Sequence, residues 1–197
     1  MLVIGLTGGI GMGKSTTAKI FRRAGFPVFD ADRAVHALQS PGGRALPPIA
    51  AAFPGTVGGN PPTLDRGALR ATVLANPASL RRLEAIIHPL VQAEERRFLA
   101  AARRARVRGV VLDIPLLLET RGERRVDRVV VVSAPRATQI ARVLRRGRMS
   151  RADVAAVIAR QMPDQEKRKR ADFVIQTGLS RNQASRAVRR LIETLPA

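Results

Sequence analysis

In the segment LTGGIGMGKSTTAKIF, residues 6–21, four glycines fall within six positions and a lysine follows. A glycine run this dense lets the backbone curl so that several N–H groups face inward at one anion. Gly8, four residues, then Gly13-Lys14-Ser15 matches the phosphate-loop pattern G-x-x-x-x-G-K-[ST]. The flanks fit that pattern. LVIGL, residues 2–6, reads as a short buried parallel strand, and KSTTAKIFRRAG as a helix with Ala18, Phe21 and Ala24 on one side and Gly25 at its stop. A helix starting near Lys14 adds its positive end to the same anion. In such a loop the lysine reaches the β- and γ-phosphates of a nucleotide, and the Ser15 hydroxyl is offered to Mg²⁺.

The lysine stands out because the chain has only four, Lys14, Lys19, Lys167 and Lys169, among 35 basic residues. The loop needs a compact charge on a thin stem, whereas the broad planar fork of arginine suits another geometry. The formal net charge is +20, which draws polyanions of any kind, although part of the arginine excess reflects a bias toward Arg and Ala. With no Trp or Tyr the stacking aromatics of single-strand binders are missing, and no RNP or zinc-finger pattern occurs, so no specific nucleic-acid partner is expected. The absence of cysteine excludes disulfides and thiolate metal sites and suits a cytoplasmic protein. VVLDIPLLL and RVVVVSA fall far short of the roughly 20 apolar residues that span a bilayer, so no membrane partner is expected. The N-terminus has no basic leader region and reads as a strand, not a signal peptide.

Further along, PVFDAD, 27–32, reads as a second strand ending in two carboxylates. Residues 41–65 read as irregular around one short helix near 44–53. From 66 to 107 the pattern is helical, with boundaries expected at Asn76-Pro77 and His88-Pro89 because the residue before proline avoids helical backbone. GVVLDIPLLLE, DRVVVVSA and ADFVIQTG hold three more strands, 135–147 and 150–162 two helices, and 181–195 a closing amphipathic helix. Strands separated by helices predict a parallel sheet with helices on both faces.

Ligands in such a sheet sit beyond the carboxyl ends of its strands. Asp30 and Asp32 lie 16 and 18 positions beyond Lys14. Either Asp32 takes or orients the proton of an attacking hydroxyl, or one of the two aspartates simply caps the helix ADRAVHAL. Asp113, after an apolar strand, reads equally as a carboxylate that holds Mg²⁺ or as the start of a turn, with Leu116 to Leu118 as an apolar wall beyond it. Arg142, Arg145, Arg146, Arg148 and Arg151 span two short helices joined at Gly147. They form either a kinase lid that closes over ATP or a solvated basic face.

In order along the chain, LTGGIGMGKST, VFDAD, LDRGALR, LRRLEAIIHPLV, DIPLLLE, TQIARVLRR and ADFVI together resemble the dephospho-CoA kinase family, over residues 3–178. The resemblance implies an α/β, P-loop nucleoside-triphosphate hydrolase-like fold, its parallel sheet flanked by helices. The core would comprise about 1–40, 108–134 and 171–197, with a helical substrate-side insertion at about 66–107 and a lid at about 135–170. It implies ATP-dependent phosphorylation of the ribose 3′-hydroxyl of dephospho-CoA, with Mg²⁺, by a monomer or weak homo-oligomer. Gly11, Met12, Gly13, Lys14, Ser15 and Thr16 would hold the ATP phosphates, and Ser15 and Asp113 the metal. Asp32, Lys14 and Arg142 would be catalytic, and Thr7, Asp32, Arg66, His88 and Leu116 would bind the acceptor. His88, taken alone, reads more readily as a packed or capping residue. The nearest rival is a nucleoside or nucleoside-monophosphate kinase, which would share the loop and lid. Three departures stand out: GGNPPTLDR where the family has an Asp-Gly hairpin, VIQTGLS where it has an Asn-x-Gly turn, and Met12 at a usually small position, its side chain expected to point outward.

Overall fold

The computed structural model describes residues 1–147 and 149–195, so Arg148 of the arginine cluster lies outside the described residues. The chain forms two compact units, residues 1–29 with 102–197, and residues 30–101.

The first unit is built on a five-stranded sheet in the order β2-β5-β1-β6-β7. Its strands are β1 (Leu2–Thr7), β2 (Val28–Asp30, at the edge), β5 (Gly109–Asp113), β6 (Arg128–Ser133) and β7 (Phe173–Gln176). β1 runs parallel to β5 and β6, and β6 parallel to β7. Apolar runs such as Val129 to Val132 suit strands covered on both faces. Alternation then sorts them. Val130 and Val132 join Ile4, Leu6, Phe21, Val188 and Leu191 in a core under α1 (Lys14–Arg23) and α9 (Arg181–Thr194). Val129 and Val131 pack on the other face with Leu117, Leu118 and Met162. Its other α-helices are α6 (Arg136–Leu144), α7 (Arg151–Arg160) and α8 (Asp164–Lys169), and a 3-10 turn spans Gly122–Arg125. A capping box between Ser150 and Asp153 starts α7. Helix α8 escapes a periodicity reading because DQEKRK has no apolar spacing.

The second unit holds α2 (Ala31–Leu38), α3 (Leu46–Ala52), the two-stranded antiparallel pair β3 (Val57–Gly58) and β4 (Thr63–Leu64), α4 (Arg66–Ala75) and α5 (Pro77–Arg104). The hairpin corrects the irregular reading of 41–65, since strands of two residues leave no alternation to detect. Asn76 separates α4 from α5 as expected and accepts the Ala78 N–H at 2.8 Å. His88-Pro89 is no boundary, because α5 runs straight through it. Leu83, Ile86, Ile87, Leu90 and Val91 pack on one core from both sides of the proline, and that burial outweighs the single backbone hydrogen bond that Pro89 cannot donate. Among the described residues no helix is long and apolar enough to cross a membrane.

Candidate active site

The parallel register sets out the first unit's site. Leu6 pairs with Asp113, Thr7 with Val131, and Ser133 with Gln176, so the carboxyl ends of four strands meet at one edge of the sheet. From Thr7 the chain turns through Gly8–Gly13 into α1. The Met12 N–H donates to the Gly9 carbonyl at 3.2 Å, closing a turn whose third residue, Gly11, has φ 75°. A side chain is strained at that φ, and a Cβ at Gly11 would also lie 2.7 Å from the Gln139 carbonyl oxygen. Gly13 caps α1 in the left-handed region at φ 93°, and its carbonyl accepts from the Thr16 and Thr17 N–H groups at 3.1 Å each.

Lys14 is the first residue of α1, and its Nζ donates to Asp113 Oδ1 at 2.5 Å. Asp113 ends β5 and is 3% exposed. The carboxylate therefore holds the loop lysine; it is more than a turn former. Ser15 and Thr16 are exposed in the first turn of α1. The hydroxyl of Ser15 and the carboxylate of Asp113 are hard oxygen donors, the set that Mg²⁺ takes up beside phosphate oxygens.

Met12 corrects an expectation. Its side chain points inward, into the core under α1, and its sulfur accepts the Ala134 N–H at 3.1 Å. The methionine thus ties the loop to the end of β6. A second tie comes from the VIQTGLS turn. Thr177 Oγ1 donates to the Met12 carbonyl at 2.6 Å, while Arg142 donates to Thr177 twice, from Nη1 to Oγ1 at 3.0 Å and from Nη2 to the carbonyl at 2.6 Å. Arg142, on α6, is thereby anchored beside Gly13. Arg145, Arg146 and Arg151 are exposed. Thr7 is fully buried and donates its hydroxyl to the Pro115 carbonyl at 2.9 Å, in the turn that leaves Leu116 exposed. A cavity of about 570 Å³ opens beside the loop, walled by Gly9, Gln139, Ile158, Gln161, Asp164 and Lys167 among others. Of its polar residues only Lys167 carries a signal in the sequence, being, like Lys14, one of four lysines.

In the second unit Asp32 is not at the end of a strand. β2 stops at Asp30, which caps α2 by accepting the Arg33 N–H at 3.0 Å. With the cap filled by Asp30, the Asp32 carboxylate stands exposed in the first turn of α2. Arg66 is exposed at the start of α4, behind an N-cap made by Asp65, and His88 is exposed on α5.

A glycine loop leading into a helix, a lysine held on a buried carboxylate and an arginine anchored alongside are the kind of groups that phosphoryl transfer uses. Comparison with known proteins narrows the class. Residues 2–182 match the model of the family described as dephospho-CoA kinase (CoaE). A dephospho-CoA kinase of Gluconobacter oxydans is 54% identical over 99% of this chain and 98% of its own length. Among solved structures, TT1252 from Thermus thermophilus is similar with a TM-score of 0.81 and 36% identity, over 100% of this chain and 98% of that one. Dephospho-CoA kinase from Campylobacter jejuni shares the fold, with a TM-score of 0.72 and 24% identity over 97% of this chain and 95% of its own.

Proposed function

The chain belongs to the dephospho-CoA kinase family, and from that premise we propose that it transfers the γ-phosphoryl group of ATP to the ribose 3′-hydroxyl of dephospho-CoA, giving coenzyme A and ADP. The observation that carries the residue assignment is the Lys14–Asp113 pair beneath the glycine loop. A lysine already drawn to the loop by a carboxylate is in place when the triphosphate arrives, so little reorganisation accompanies binding.

On this reading the backbone of Gly11, Met12, Gly13, Lys14, Ser15 and Thr16 takes the ATP phosphates. Lys14 and Arg142 oppose the charge that spreads over the transferring group. Ser15 and Asp113 would hold Mg²⁺, which supplies charge neutralisation at the phosphates when bound. Asp32 accepts or orients the proton of the attacking hydroxyl. Arg66 and His88 are assigned to the anionic acceptor, and Leu116 to its apolar part. Thr7 acts indirectly, holding the Pro115–Leu116 turn in shape through the Pro115 carbonyl.

The test is product analysis. Purified protein with ATP, Mg²⁺ and dephospho-CoA is expected to give ADP and coenzyme A in equal amounts, the new phosphate on the ribose 3′-oxygen by ³¹P NMR and mass spectrometry. ADP release that does not depend on dephospho-CoA would refute the assignment.

A further inference from the structure

Ile10 sits at the outer corner of the Gly9–Met12 turn, and glutamines from the α6–α7 segment occupy both of its peptide groups. Its N–H donates to Gln161 Oε1 at 3.0 Å, and its carbonyl accepts from Gln139 Nε2 at 2.9 Å. The chemistry fixes which end of each carboxamide faces the loop: only an oxygen can meet the N–H, and only an amino group the carbonyl. Gly9 makes room for them. A Cβ there would stand 3.2 Å from Gln139 Nε2 and 3.2 Å from Gln161 Oε1, closer than side chains comfortably approach.

Gln161 is itself held from behind. It is the residue that closes α7, and the next residue, Met162, donates its N–H to Glu119 Oε1 at 3.1 Å. The same carboxylate oxygen takes Lys167 Nζ at 2.7 Å, and Lys167 is 1% exposed. An ion pair between the turn after β5 and the buried Lys167 of α8 thus anchors the end of α7 and presents Gln161 to the loop. None of these four residues belongs to the phosphate-binding set assigned above.

We propose that Gln161 is a positioning residue. Together with Gln139 it clamps the Ile10 peptide, so that the loop keeps its phosphate-receiving shape before ATP arrives. The clamp makes the seating of the α6–α7 segment and the order of the loop one event. Its role in ATP use rests on the reading of residues 11–16 as the ATP loop; the clamp itself does not. Losing one such hydrogen bond corresponds to about a tenfold change in an equilibrium constant.

The experiment pairs amide hydrogen exchange at Ile10, read by NMR on nucleotide-free protein, with steady-state kinetics. Gln161→Leu, which fills the space but accepts no hydrogen bond, is expected to speed Ile10 exchange about tenfold. It is also expected to raise KM for ATP about tenfold, leaving KM for dephospho-CoA within about twofold. Gln161→Glu keeps an acceptor oxygen and is expected to retain Ile10 protection. Gly9→Ala, which crowds both carboxamides, is expected to speed Ile10 exchange with both glutamines present, and it decides the matter if Gln161→Leu folds poorly. Ile10 exchange unchanged in Gln161→Leu, or as fast in Gln161→Glu as in Gln161→Leu, would overturn the clamp. Faster exchange with KM for ATP unchanged would overturn its role in ATP use. A wild-type protein without kinase activity would fail the functional reading and leave the exchange comparison intact.

Discussion

Lys14→Ala is expected to lower turnover of ATP with dephospho-CoA about a thousandfold, the scale of removing one charged donor from a developing oxyanion. The geometry adds an effect on stability, and a second variant separates the two. Lys14 Nζ is the charge that meets Asp113 at 2.5 Å, so truncating it takes an opposite charge away from a buried carboxylate. Breaking a buried pair in this way costs about 3 kcal/mol, so Tm should fall together with activity. Lys14→Arg distinguishes charge from shape. It keeps the positive charge, but its planar guanidinium is wider than the ammonium that meets Asp113. We therefore expect turnover to fall at least about a hundredfold, with a smaller loss of stability than in Lys14→Ala. Wild-type turnover in Lys14→Arg would show that the loop needs only charge.

Asp32→Asn is the second large effect. The carboxylate is exposed in the first turn of α2, and the cap is made by Asp30, so neither the helix start nor a core contact rests on Asp32. The substitution removes a base and leaves a side chain of nearly the same size. General base catalysis contributes roughly 10²–10⁴ in rate, and turnover is expected to drop about a thousandfold while ATP affinity and Tm stay close to wild type. Turnover within a few-fold of wild type would remove Asp32 from the chemistry. Asp30→Asn is the companion control: asparagine still caps a helix, so activity should persist.

What could be read in advance followed how local each feature is. The strands of the five-stranded sheet and the glycine loop are legible because short apolar runs and the 8–15 spacing carry their own physics, whereas the two-residue strands β3 and β4 are not. VFDAD reads as a strand ending in both Asp30 and Asp32, because it gives no hint of where the strand yields to the cap; the Asp30–Arg33 contact decides it. Pro89 obeyed packing on both sides of it over its local preference. Met12 looked outward from the loop alone, but its partner, the Ala134 N–H, is 122 residues away. The ties of Arg142 to Thr177 and of Gln161 to Ile10 span 35 and 151 residues, and no local pattern encodes either. The scarcity of lysine singles out Lys167 as plainly as Lys14, but its role becomes visible only through its partner, Glu119.

Competition between acceptors tests the central claim most directly. With ATP and Mg²⁺ fixed, dephospho-CoA, nucleosides and nucleoside monophosphates are offered singly and in pairs, and each phosphorylated product is counted. The account predicts that kcat/KM for dephospho-CoA exceeds that of every other acceptor by at least about a hundredfold, well within the roughly 10⁴–10⁵ available when a site built for polar groups meets a ligand that lacks them. Comparable or faster phosphorylation of a nucleoside or a nucleoside monophosphate would contradict it.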